Sequence, residues 1–300
     1  PGLLLGALLL SGCGEKTSVS GSTELCISER TPIPAIQGES YRSPLENRYQ
    51  FAGGVVTRIE PGHGYYIEQI EHDSPLAASK AVFVQWHGEA GKAEPGQRVV
   101  VGGRVRELGT ERDTLTGISE IDRFAVCDEG LPLPLTETEL PLSNPQREAL
   151  EGMRISVAQT LHVTDNYSAR YGELTFSSGE TLRIPTEDHA PGAAAKQADR
   201  GNRERALTAY YKNWSDEILA AGSRISQLTG IFGHRRERQQ LLTESARTSP
   251  AAVLEPIDPP DSRHVRVVGA NLVSFFNGNG RGAGFPTVRG AETAADGMAE

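Results

Sequence analysis

From Tyr49 onward, apolar and polar positions alternate with a period of two. The stretch "YQFAGGVVTRI" (49–59) is rich in β-branched residues and predicts a strand. A Pro-Gly turn at Pro61-Gly62 leads into "GHGYYIEQI", and "AVFVQW" follows. A second Pro-Gly turn, Pro95-Gly96, precedes "QRVVVGGRVREL" and then "LTGISEIDRFAV". These five short runs occupy about eighty residues and are punctuated by Gly and Pro, which predicts a small closed barrel. The pairs Gly53-Gly54 and Gly102-Gly103 lie inside strand patterns, where a barrel strand must bend sharply.

A second β pattern covers "EGMRISVAQTLHVTDNY", "YGELTFSSGETLRIPT" and "SRISQLTGIFGHRRERQQLLT". Between the last two lies "APGAAAKQADRGNRERALTAYYKNWSDEILAAG", partly helical by composition. The proline-bearing segments "DEGLPLPLTETELPLSNP" and "RTSPAAVLEPIDPPDSRH" read as extended, semi-rigid linkers.

The amino terminus changes the picture. Ten of the first twelve residues are Leu, Gly or Ala, a run too short to cross a bilayer as a helix. It fits the apolar part of a secretion signal. Leu10-Ser11-Gly12-Cys13 then resembles a bacterial lipobox, which makes Cys13 the candidate lipidation site and membrane anchor. A plain secretory signal or a short buried helix are the alternatives. Gly14 after Cys13 favours outer-membrane sorting by resemblance to known lipoproteins. An exported protein, outer-membrane lipoprotein or extracellular, follows. Cys26 and Cys127 remain, an even pair suited to a disulfide in that setting, with two buried free thiols as the other reading. Net charge is −9, which argues against a surface given over wholly to nucleic acid but allows a local basic patch.

The pieces resemble secreted or surface-attached bacterial nucleases that carry OB-like domains ahead of an endonuclease/exonuclease/phosphatase (DNase I-like) domain. The resemblance rests on the order of "IPAIQGESYRSPLENRYQFAGGVVT", "GYYIEQ", "AVFVQ", "GQRVVVGGRVREL", "EGMRISV", "YGELTFSSGETLRIPT" and above all "VRVVGANLVSFFNGNGRGAGFPTVRGA" (265–291). It implies a mainly β chain. A signal with lipobox (1–13) and a tether and lead-in (14–44) would precede an OB-like barrel (45–130). A Pro-rich linker (131–147), a second OB-like barrel (148–246) and another linker (247–263) would follow. The start of a four-layer α/β DNase I-like domain (264–300) would come last.

The same resemblance implies a divalent-metal phosphodiesterase acting on DNA, with RNA as the alternative substrate. Mg²⁺, or Ca²⁺ or Mn²⁺ in its place, would neutralise the phosphate and activate water. Asn271, at the end of the first strand of that domain, takes the catalytic position. The metal-binding Glu and the His and Asp of the family pattern are expected beyond Glu300, so residues 1–300 alone are expected to be inactive. No metal ligand is assigned within the span, and no protein partner is implied.

Arg281 and Arg289 are candidate phosphate contacts, because residues 265–291 hold arginines and no acid, with a flexible loop of ordinary solvated arginines as the equal alternative. "NGNGRGAG" matches no nucleotide-binding fingerprint. Tyr65, Tyr66, Phe83 and Trp86 could stack bases, although strand neighbours face opposite ways. His63, His72 and His87 fit no metal spacing and read as lone surface histidines. "HRRERQQ" (234–240) could contact phosphates, but it alternates like an exposed hairpin and reads as a solvated face. The competing class is a non-enzymatic surface module whose barrels bind nucleic acid or glycan. A phosphatase or lipid phosphodiesterase is a third.

Overall fold

The computed structural model describes residues 19–70, 77–86, 93–110, 113–212, 219, 221–236 and 238–248. It is mainly β, with two sheets.

The first sheet is built from β1 (Tyr49–Glu60), β2 (Gly64–Glu68), β3 (Ala81–Gln85), β4 (Arg98–Thr110) and β5 (Asp113–Asp128), the five runs read from the sequence. They close into a barrel in the order β1-β2-β3-β5-β4. All neighbours are antiparallel except β3 and β5, which pair in parallel at Phe83↔Gly117 and Val84↔Ile118. The glycine pair in β4 serves the bend expected of it. The β4–β5 register slips between Gly102 and Arg104. A Cβ on Gly103 would meet the Ser119 carbonyl oxygen at 2.6 Å. Only glycine lets the two strands approach that closely.

Val56, Ile67, Val82, Val84, Val99, Val101 and Ile118 fill the barrel. Ile33 and Ile36 of the short helix α2 (Ile33–Gln37) join the same core. The lead-in helix α1 (Val19–Ile27) lies on β5, and a Cys26–Cys127 disulfide with Cα atoms 5.5 Å apart ties the two together.

The second sheet runs β12-β10-β9-β8-β11-β7-β6, with β12 also paired to β11. Its strands are β6 (Thr136–Thr138), β7 (Arg154–Val157), β8 (Leu161–Asp165), β9 (Glu173–Ser178), β10 (Ala206–Tyr210), β11 (Arg224–Arg235) and β12 (Arg238–Thr248). The pairings β8-β9-β10-β12-β11 thus return on themselves, and β10–β12 is the parallel pair of that ring. Phe176, Phe232, Leu161, Leu174, Ile155 and Leu228 make its core.

Two sequence readings change here. Residues 131–147 are more than a linker: β6 adds in parallel to β7, Leu140 and Leu142 are buried in the second core, and α3 (Asn144–Glu148) follows behind a Ser143/Gln146 capping box. Alternating Leu at these positions supplies apolar contacts even where proline withholds a ladder donor. The partly helical stretch divides into the helix α5 (Ala193–Arg205) and the strand β10, whose Leu207 and Ala209 point into the core.

The two β units are packed together rather than strung apart. Tyr66, Phe83 and Leu115 of the first form one buried cluster with Ile231 and Leu242 of the second. Buried carboxylates cross the boundary. Glu68 accepts the Arg154 backbone N–H at 3.0 Å, and Glu151 accepts the Thr116 N–H at 2.9 Å. Burial pushes the Glu68 carboxyl up to about 7 and holds Glu151 well above the usual carboxylate range.

Candidate nucleic-acid interface

In the first unit the aromatic residues are spent on packing. Tyr65 lies in the barrel core, and Tyr66 and Phe83 sit ring to ring at 4.9 Å under the second unit. Trp86 rests on Phe124 at 5.7 Å. The rings weighed as stacking platforms therefore support the fold, and the second unit covers the face that carries Tyr66 and Phe83. His63 is exposed at the rim of that boundary; His72 and His87 lie outside the described residues.

The second unit differs. The hairpin joining β11 to β12 is more than a solvated face. His234 docks on Asp113 of the first unit, and the Gln239 N–H donates to the same carboxylate at 3.1 Å. The hairpin is anchored there, and its arginines are presented alongside. Arg235 lies over the Tyr210 ring, its Cζ 3.7 Å from the centroid, and donates to Glu173 at 2.7 Å. Arg236 is 60% exposed, with Glu173 at 3.7 Å. Arg238 is exposed and has no acidic partner among the described residues.

The loop before β9 completes the face. A single 3₁₀ turn (Ala169–Tyr171) presents Tyr171, half exposed, with Arg170 4.7 Å and Arg236 5.8 Å from its ring. Cation–π contact orders both guanidiniums and leaves their outer N–H groups free to donate. Tyr167 on the same loop is 80% exposed. The result is an arginine–tyrosine surface with Glu173 as its internal acid, on a chain of net charge −9. Arginines for phosphates and rings for bases are what a single strand needs from a protein surface.

Arg236 has φ +51°. It takes the first turn position of a two-residue hairpin, where glycine or asparagine is at ease and a long side chain is not. Holding a long side chain in that conformation costs backbone energy that asparagine or glycine would not.

Sequence reading missed Arg170, Tyr171, Tyr210, Arg236 and Arg238 as a group. The signal was thin: an Arg-Tyr pair in "ARYGE" and an arginine run some sixty residues later, joined only by the fold. Of the residues nominated from sequence, Cys26 and Cys127 form the disulfide. Asn271, Arg281, Arg289 and Cys13 lie outside the described residues. Among the described residues no group of three or more His, Cys, Asp or Glu side chains could hold a metal ion. The metal ligands that the resemblance implies are expected beyond Glu300, outside the described residues. No family model matches the chain, and comparison with curated proteins finds no match.

Proposed function

We propose that this protein is an exported nuclease acting on DNA, with RNA as the alternative, and that the arginine–tyrosine face of the second β unit holds the strand. The single observation that carries the reading is that face: Arg170, Arg235, Arg236 and Arg238 gathered around Tyr171 and Tyr210 in an acidic chain.

Both β units are OB-like in this reading. In the first, the order β1-β2-β3-β5-β4 with a parallel β3–β5 closure supports it. In the second, β7 with β8, then β9, β10, β11 and β12 take the roles of strands one to five, and β10–β12 supplies the parallel closure. OB-like barrels commonly bind single strands. Division of labour follows: the first unit is a pedestal and the second grips. Cleavage belongs to the DNase I-like domain that the resemblance at 265–291 implies, with Asn271 in its centre, Arg281 and Arg289 on phosphate, and Mg²⁺ supplying the Lewis acid. Cys13 would carry the lipid anchor.

The test is cleavage of a labelled single-stranded oligonucleotide by the complete gene product with and without Mg²⁺. Metal-dependent cleavage, reduced roughly 10²–10³-fold by Asn271→Ala, is expected. Binding with no cleavage would leave the second reading, a surface module that only captures nucleic acid; the arginine–tyrosine face suits that role equally. Absence of both binding and cleavage would remove both readings.

A further inference from the structure

A cleft of about 420 Å³ opens between the two β units. That volume lies in the range of small-molecule sites, about 300–1,000 Å³. We propose that it is a slot for one nucleotide, taking a single unstacked base of the bound strand together with its phosphate. The inference rests on the strand-binding reading above and deepens it.

The floor is apolar and comes from both units: Phe83, Leu108 and Leu115 from the first, Leu242 from the second. Phe83, Leu115 and Leu242 are almost wholly buried in the boundary cluster, so the half-buried Leu108 is the floor residue most open to a flat heterocycle. The rim is cationic. Arg58 donates to the Leu242 carbonyl oxygen at 3.2 Å and pairs with Glu60, so its guanidinium is fixed in place. Arg235 is fixed by Tyr210 and Glu173, and Arg236 is the rim cation with the most freedom to follow a ligand. An apolar floor under a rim of arginines selects a ligand with a planar apolar part and an anionic part, which describes a nucleotide.

Continuity decides the occupant. Arg235 and Arg236 line this cleft and also the neighbouring depression that contains Glu173, Thr208 and Arg238. A strand lying along the arginine–tyrosine face therefore reaches the cleft without leaving the arginines. Placing a base there requires the base to be unstacked from its neighbour. That costs little for a single strand and a few kcal/mol for a base inside a duplex. The cleft accordingly discriminates single strands and frayed ends from intact duplex.

The experiment measures displacement of a labelled single-stranded oligothymidylate by deoxyadenosine 5′-monophosphate, using the wild-type chain, Leu108→Trp and Gln85→Trp. Leu108 is half-buried at the cleft floor, and Gln85 approaches from β3, so the two variants fill the slot from different walls. Circular dichroism and thermal melting establish that each variant is folded. The expected result is a drop of tenfold or more in mononucleotide affinity in both variants, together with loss of the preference for single strand over duplex. Inorganic phosphate should compete far more weakly than the mononucleotide. Unchanged mononucleotide affinity in both folded variants would overturn the slot, as would equal competition by inorganic phosphate. If Arg236→Glu abolishes oligonucleotide binding while the slot-filling variants change nothing, the slot fails and the strand-binding reading stands. If the wild-type chain binds no oligonucleotide, the strand-binding reading itself fails.

Discussion

The two β units share a pattern of strand pairing and differ in where they spend their aromatic residues. In the first, Tyr65, Tyr66 and Phe83 are almost wholly buried. In the second, Tyr171 and Tyr167 stand exposed, and arginines are laid against Tyr171 and Tyr210. A ring in a strand is thus no guide to contact with a ligand; its neighbours decide. Where the facing surface is apolar, as Ile231 and Leu242 are to Tyr66, the ring becomes core. Where the neighbours are arginines, the ring becomes a platform.

The largest effect expected from breaking this contrast is on stability. Cys26→Ser should cost roughly 4 kcal/mol, because the disulfide closes a separation of 101 residues and chain entropy scales with that loop. Urea unfolding under oxidising and reducing conditions reads this directly, and the difference should vanish in the variant.

Tyr66→Ala should cost about 3–5 kcal/mol, since the ring fills the boundary between the units. Its hydroxyl also accepts the His234 backbone N–H at 3.4 Å. Tyr171→Ala, by contrast, should shift stability by less than about 1 kcal/mol and weaken oligonucleotide binding by roughly tenfold. Equal stability losses at the two tyrosines would erase the distinction.

Glu68 gives the boundary a pH dependence. Its carboxyl is held at about 7 in the folded protein against an ordinary 4.5, mainly by burial. The unfolded chain therefore releases this proton first. The contribution is fully present below about pH 4.5, falls as pH rises toward 7, and stays lost above it. The loss is on the order of 3 kcal/mol. Glu68→Gln keeps an acceptor for the Arg154 N–H and removes the charge, so its stability should fall less steeply across that window than that of the wild type, with the raised carboxyl of Glu151 still contributing a slope. Thermal melts from pH 4 to 8 compare the two.

Much of the first unit was legible in the sequence. Its strands alternate clearly, Pro-Gly turns bound two of the connections, and paired glycines mark where β1 and β4 pass close to their neighbours. The second unit was harder to read because it breaks its own pattern. Its β7 and β8 are only four and five residues long, β10 follows directly on α5, and β6 is three residues within a proline-rich segment. The Cys26–Cys127 pairing followed from counting cysteines. The arginine–tyrosine face did not, because Arg170 and Arg236 meet only through tertiary structure. Nor could the fate of Tyr66 be read, since period-2 alternation says that a side chain faces outward and is silent about what packs there.

A smaller effect isolates the strain at the hairpin tip. Arg236→Asn should raise stability by about 0.5 kcal/mol, because asparagine tolerates the left-handed conformation better. The same change should weaken oligonucleotide binding. A more stable protein that binds less well is the outcome that separates a functional arginine from a structural one.

Strand binding is proposed for the second unit's arginine–tyrosine face. Its most direct test is the salt dependence of single-stranded DNA binding, followed by fluorescence anisotropy in the wild type and in an Arg170→Glu/Arg236→Glu/Arg238→Glu variant. Each phosphate neutralised adds about −0.7 to the slope of log K against log salt, so three or four contacts predict a slope of about −2 to −3. The variant should lose most of that slope and at least tenfold in affinity at low salt. A slope and affinity unchanged by these substitutions would contradict the account.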